Sequence, residues 1–186
     1  MQKFGTMAIA FVANIVLARL LTPDDYGCIG MLLIFIAVAN TFIDGGFGSA
    51  LIQKKEPTQE DYSTIFYWNL FLSIVLYGIL FFTAPFIADF YEISLLTPVL
   101  RVQGGVLILN ALSIIQCNQL RKQLRFRLIA SVNLTASLLS VVITIVLAWI
   151  GWGIWALVAQ QLLFSLFNAI LFWSFNKWVP SFLKIF

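Results

Sequence analysis

Polar side chains recur at helical spacing inside the long apolar stretches of this chain. Asn69 leads one stripe, with Ser73 and Tyr77 at intervals of four residues, and residues three, four or seven apart share one helix face. The other stripes are Asn133, Ser137, Ser140 and Thr144; Gln161, Ser165 and Asn168; Gln103 and Asn110, with Gln116, Asn118 and Gln119 near the inner end of the same span; and Asn40 with Asp44. Such stripes are expected to point away from lipid.

Two interpretations of these stripes compete. They could line a water-filled cavity, or they could form the hydrogen bonds that hold closely packed membrane helices together. The hydroxyl groups favour the second interpretation. Asn and Gln on several helices exceed what packing usually requires, so the candidate cavity residues include Asn69, Gln103, Asn110, Asn133 and Gln161.

Asp44 is the acidic residue whose position matters most. Counting back from Lys55 at ~1.5 Å per residue predicts a depth of about 15 Å, near the middle of the bilayer. A carboxylate at that depth should face a cavity, pair with a cation or bind a proton. The alternative is a helix break at Gly45, Gly46 and Gly48, with Asp44 capping the next segment.

Arginines could supply a site for phosphate. Arg19 and Arg101 lie toward the outer ends of their predicted spans, where a long side chain can reach the headgroups at little cost. Alternatively, they form a cationic patch suited to phosphate or pyrophosphate, because guanidinium offers a fork of donors. The cluster at 121–127 is interpreted as a topology signal that could also engage anionic headgroups.

The residue types do not suggest an enzyme. The sequence has no His, and therefore lacks the commonest metal ligand and general base. It shows no Ser/His or Cys/His pair, no usefully spaced carboxylates and no Walker-type loop. Cys28 and Cys117 lie in separate apolar stretches. We expect no metal, no cofactor and no catalysis.

Composition places the elements that carry these residues in a membrane. The chain of 186 residues is 61% hydrophobic and 10% charged, against about 45–50% and about 25% in soluble domains. The net charge of +3 resides in segments between apolar runs, so nucleic acid is not an expected partner. Lipid must be the solvent.

The sequence predicts an all-α integral membrane protein, a single bundle of about six transmembrane helices over residues 1–186. A span needs about 20 mostly apolar residues. The candidates are approximately 4–21, 28–52, 64–88, 95–119, 128–150 and 153–176.

Nine of the eleven Lys and Arg residues fall on one side if both termini are cytoplasmic, as expected from the positive-inside rule. Tryptophans are expected to anchor the interfaces: Trp149, Trp152 and Trp155 outside, and Trp173 and Trp178 inside.

Specific strings resemble a known family. Residues 18–27 read ARLLTPDDYG and residues 44–53 read DGGFGSALIQ, and both resemble the opening of bacterial Wzx-type polysaccharide and O-antigen flippases. The segments 66–70 and 119–126 extend the similarity. These proteins belong to the multidrug/oligosaccharidyl-lipid/polysaccharide exporter superfamily.

The resemblance implies transport of an undecaprenyl-diphosphate-linked oligosaccharide across the bacterial cytoplasmic membrane, in surface polysaccharide synthesis such as that of lipopolysaccharide. In this family two lobes rock around a cationic cavity. Arg19 and Arg101 would contact the headgroup. Asp44 would be a charge partner or an ion-coupling site.

The chain departs from the family in length. Members have about twelve to fourteen spans in two lobes, a repeat-based design, whereas this sequence supplies the N-terminal lobe with a shortened first helix. A second lobe or second copy is therefore an expected partner, besides membrane lipids. The alternatives are a non-transporting assembly protein or remnant, and a multidrug exporter of the same superfamily.

Overall fold

The computed structural model describes residue 15 and residues 17–181, apart from the side chains of residues 47, 49 and 52. The predicted span 4–21 lies mostly outside these residues. The described part contains helices and no strand, which confirms the all-α prediction. The helices are α1 (Pro23–Asp44), α2 (Phe47–Gln53), α3 (Gln59–Phe90), α4 (Leu96–Gln103), α5 (Gly105–Lys122), α6 (Phe126–Trp149) and α7 (Ile154–Asn176).

Five helical segments in the described part are long and apolar enough to cross a membrane. Four of them are α1, α3, α6 and α7, and the fifth is α4 together with α5, which run on through Gly104. A Cβ at Gly104 would lie 2.8 Å from a ring carbon of Tyr77, so glycine lets α3 approach this junction closely. The protein is a multi-pass membrane protein.

The first full helix begins earlier than the predicted span 28–52. Thr22 accepts a hydrogen bond from the Asp25 amide (3.3 Å), and the Asp25 carboxylate accepts one from the Thr22 amide (3.0 Å). This reciprocal cap satisfies two helix-end donors, and Pro23 suits the first helical position. The segment between the predicted spans 4–21 and 28–52 therefore contains the start of α1.

The same helix also ends earlier than predicted, at Asp44. Gly45 and Gly46 adopt positive φ angles of 47° and 77°, a conformation that glycine takes without the steric cost of a Cβ. The short helix α2 follows with Gly46 as its N-cap and without a side-chain cap. The helix break is confirmed, but Asp44 does not cap the next segment.

Helix α3 is longer than the predicted span 64–88. Its 32 residues extend about 48 Å at ~1.5 Å per residue, more than the ~30 Å of a hydrocarbon core. Thr58 and Asp61 form its capping box, and Pro85 lies inside it.

Helix α5 lies at the centre of the packing. It contacts α1, α2, α3, α6 and α7, and the antiparallel hairpin of α6 and α7 turns through Gly151 and Gly153. The largest buried cluster includes Leu32, Leu100 and Leu107. One end of the bundle, here called the basic end, carries Lys54, Lys55, Arg121, Lys122, Arg125, Arg127 and Lys177; the opposite tryptophan end carries Trp149, Trp152 and Trp155.

Candidate functional site

A polar cleft lies between α1 and α6, with α5 and α7 as its floor. It consists of two cavities of about 870 Å³ and about 480 Å³ that share Asn40 and Asn110. We call the two cavities together the amide cleft. Its main polar residues are Asn40 and Asp44 of α1; Asn110, Asn118 and Arg121 of α5; Asn133, Ser137 and Ser140 of α6; and Gln160, Gln161, Ser165 and Asn168 of α7.

Asn110 is the hydrogen-bonding centre of the amide cleft. Its Nδ2 donates to Asn40 Oδ1 at 3.3 Å, and its Oδ1 accepts from Ser165 Oγ at 2.9 Å. One amide thus joins α1, α5 and α7. Because its amide both donates and accepts a hydrogen bond, Asn110 holds α5 and α7 at the floor of the cleft to α1 at its wall. The same residue lines both cavities.

Gln103 and Gln161 form a second link across the bundle. Gln103 Nε2 donates to Gln161 Oε1. Gln103 itself is buried, with its Oε1 unpartnered among the described residues, whereas Gln161 lines the smaller cavity. The buried Gln103 does not line the cleft, and its hydrogen bond fixes the orientation of the Gln161 side chain, which does.

Asp44 lies at the end of α1 and lines the larger cavity with an exposed side chain. The depth of about 15 Å was counted along one continuous helix back from Lys55, whereas α1 ends at Asp44 and the turn at Gly45 and Gly46 separates it from α2. The position near the bilayer middle stays a prediction. A Cβ built on Gly48 would come within 3.0 Å of Asp44 Oδ1 and 2.7 Å of Asn118 Nδ2. Asn118 is buried and its Nδ2 has no partner in the described structure. The Asp44 carboxylate and the Asn118 amide thus both lie close to Gly48, in the first turn of α2.

Arg121 is the cation that lines the larger cavity. Its neighbour Lys122 instead donates from Nζ to the carbonyls of Leu51 (3.1 Å) and Lys54. These carbonyls end α2, where a cation compensates the helix dipole. Of two adjacent basic residues, one therefore holds α2 in place and the other remains at the cleft.

Arg101 satisfies a backbone carbonyl outside the amide cleft. Pro85 has no N–H and so leaves the carbonyl four residues earlier, that of Phe81, without its helical donor. Arg101 Nε donates to this oxygen at 3.3 Å, and the guanidinium lies 4.5 Å from the centroid of the Phe81 ring. The proline in α3 and the arginine in α4 thus form one structural unit.

Arg19 and Asn69 are also placed apart from the amide cleft. Arg19 is exposed in a depression at the tryptophan end with Ile15 and Trp149, as expected of a snorkelling side chain. Asn69 is 1% exposed on α3, and both of its amide atoms lack a partner in the described structure. The roles given to Arg19, Arg101 and Asn69 at a cavity stay predictions.

The hydroxyl groups rarely bridge helices. Ser73, Ser140 and Thr144 donate to carbonyls of their own helices at 2.7–3.0 Å, a common use of Ser and Thr within helices. Ser165 is the exception through its bond to Asn110. We expected the hydroxyl groups to join helices and the amides to line a cavity. In the described structure the hydrogen bonds between helices come mainly from amides, some of which also line the cleft.

Several polar residues of the cleft, among them Asn40, Asn118 and Arg121, were recognised in the sequence as members of polar stripes or of the basic cluster but were not selected as candidate site residues. Their signal was the spacing, because Asn40 precedes Asp44 by one turn, and Asn110, Asn118 and Arg121 recur along one face of α5. Trp173 donates from Nε1 to the Leu112 carbonyl at 2.9 Å and so links α7 to α5, while its role as an interfacial anchor stays a prediction. In the described part, no group of three or more acidic, Cys or His residues could hold a metal.

Comparison with known proteins confirms the resemblance to Wzx-type polysaccharide exporters. The chain is 27% identical to the teichuronic acid biosynthesis protein TuaB of Bacillus subtilis (strain 168) over 97% of its own length and 38% of the relative. It is 25% identical to the succinoglycan biosynthesis transport protein ExoT of Rhizobium meliloti (strain 1021), covering 98% and 37% of the two chains. It is 27% identical to the lipopolysaccharide biosynthesis protein WzxC of Escherichia coli (strain K12), covering 88% and 32%.

The chain therefore spans about a third of the length of these relatives, as one lobe of such a protein would. No solved structure shows significant similarity to it. The sequence profile of the family described as polysaccharide biosynthesis proteins matches residues 16–184, and this chain belongs to that family.

Proposed function

We propose that this chain is one lobe of a transporter that moves a lipid-linked oligosaccharide across the bacterial cytoplasmic membrane. The observation that carries the proposal is the amide cleft between α1 and α6. A second lobe, or a second copy of the chain, would close the open side of the cleft. Movement of the two lobes would expose it alternately to the two membrane faces.

The chemistry of the amide cleft suits a sugar chain. Asn and Gln side chains both donate and accept hydrogen bonds, as recognition of many hydroxyl groups requires. Phe42 and Phe172 add apolar surface to the larger cavity, and its charged lining residues within the described part of the chain are Asp44 and Arg121. Arg121 lies at the basic end, where its forked donors fit a phosphate, while a lipid tail remains outside in the bilayer.

The predicted orientation agrees with this arrangement. Cytoplasmic loops carry the excess of Lys and Arg, and this supports an orientation with the basic end on the cytoplasmic side. The larger cavity, lined by Asp44, Asn118 and Arg121, would then receive the headgroup from the leaflet in which it is synthesised.

Complementation tests this function. The chain, and separately the chain extended through its flanking reading frame, are expressed in a bacterium that lacks its own O-unit flippase, and surface polysaccharide is measured. We expect the extended form to restore it. Asn133→Leu, which removes an amide from the cleft wall, should reduce the restored polysaccharide about tenfold, the loss of one or two polar contacts.

The matched control is Gln123→Leu, which removes an exposed amide just beyond α5 and outside the cleft. It should restore polysaccharide as the parent does. Restoration by Asn133→Leu to the parental level would mean that the amide cleft is not the sugar path. Membrane levels of each variant are compared so that failed insertion is recognised.

A further inference from the structure

A second groove lies on the outer surface of the α6–α7 hairpin, at the basic end. Its volume is about 420 Å³. Its polar edge is formed by Arg127, Ser131 and Thr135, which lie along one face of α6. Leu128 and Val132 of α6, with Leu171 and Phe175 of α7, form its apolar wall.

The groove is separated from the amide cleft by a packed layer. Val132 and Phe172 are buried in one cluster with Leu120, against which Leu128, Leu171 and Cys117 pack. Val132 and Leu171 face the groove, whereas Cys117 and Phe172 face the cleft. The two sites thus occupy opposite sides of the same cluster.

The groove carries a cation, Arg127, that forms no ion pair within the part of the chain that the structure describes. Arg127 is exposed, and the ion pair found within the described residues joins Lys54 to Asp61. The Ser131 hydroxyl donates to the Arg127 carbonyl at 3.0 Å, whereas Thr135 makes no hydrogen bond within the described part. A guanidinium and a hydroxyl are therefore available to an anionic ligand with an apolar body.

We infer that this groove binds an anionic glycerophospholipid, with the phosphate at Arg127 and an acyl chain along the apolar wall. From Arg127 to Thr135, α6 rises about 12 Å at ~1.5 Å per residue, which carries the groove from the headgroup level into the hydrocarbon region. Anionic headgroups attract basic residues at the membrane surface. The inference does not depend on the proposed transport function.

The experiment measures lipid retention by the purified chain. The protein in detergent is mixed with phosphatidylglycerol or with phosphatidylcholine of the same acyl chains, and bound lipid is counted by native mass spectrometry. We expect preferential retention of phosphatidylglycerol. Arg127→Gln should lower its affinity about fivefold, the effect of one basic residue near the membrane surface.

Two further variants separate the groove from general surface charge. Arg125→Gln removes an exposed cation that does not line the groove and should retain most of the preference. Thr135→Phe fills the groove without a change in charge and should lower retention as Arg127→Gln does. Equal retention of the two lipids by the parent, or equal losses in Arg125→Gln and Arg127→Gln, would overturn the inference.

Discussion

At the scale of single residues, the structure divides the polar side chains by what they contact. Asn110 bonds Asn40 and Ser165 across three helices, and Arg101 bonds the carbonyl of Phe81. Both were predicted as cavity candidates from position in an apolar stretch. Asn110 lines the amide cleft and Arg101 does not, a difference that depends on which helix each faces.

The link between Arg101 and Pro85 can be tested by a double-mutant cycle. Arg101→Gln should destabilise the protein by about 1–2 kcal/mol, because a charge-assisted hydrogen bond to a carbonyl is lost. In a Pro85→Ala background the alanine N–H returns to the Phe81 carbonyl, so the same substitution should cost about 1 kcal/mol less. The free energy of unfolding is measured in mixed micelles. Equal costs in the two backgrounds would show that Arg101 does not compensate for Pro85.

At the scale of elements, the caps and glycines set the boundaries of the helices. The Thr22 and Thr58 capping boxes start α1 and α3, and both are readable from the sequence. The glycine pair at 45–46 ends α1 and redirects the chain into α2. This turn brings Asp44 beside Asn118 at the amide cleft, so local backbone geometry determines a feature of the site.

A glycine in the turn and a glycine inside a helix should respond in opposite ways to substitution by alanine. Gly46→Ala should destabilise the protein by about 1 kcal/mol, since its φ of 77° places a Cβ in a strained conformation. Gly27 lies inside α1 with open space around it, so Gly27→Ala should be neutral or stabilise by about 0.5 kcal/mol. Thermal unfolding midpoints measure both, and a loss of stability in both variants would contradict this account of the turn.

At the scale of the whole molecule, the distribution of charge predicts that the basic end faces the cytoplasm. Single cysteines in a background with Cys28→Ala and Cys117→Ala test this orientation. Gln123→Cys should react with an impermeant maleimide only after spheroplasts are opened, whereas Trp152→Cys should react in intact spheroplasts. Both positions are exposed. The reverse labelling pattern would place the basic end outside and would contradict the direction proposed for substrate entry.

The sequence by itself determined the membrane environment, the helical class, the family and the approximate positions of the five long apolar helical segments in the described part. These follow from composition, apolar run length and short strings, all of which are local or additive properties. It did not determine that the span starting near residue 28 begins at Pro23, because proline and acidic residues are compatible with both a loop and a first helical turn.

Only the tertiary structure decided which polar residues share a site. Asn40, Asn110, Asn133 and Gln161 meet because α1, α5, α6 and α7 pack around one cleft, whereas Asn69, with the same helical spacing, is buried elsewhere on α3. Periodicity gives the face on which a side chain lies, but the neighbour of that face depends on the packing of helices distant in the chain. For the same reason, Arg121 lines the amide cleft, whereas the adjacent Lys122 binds a carbonyl at the end of α2.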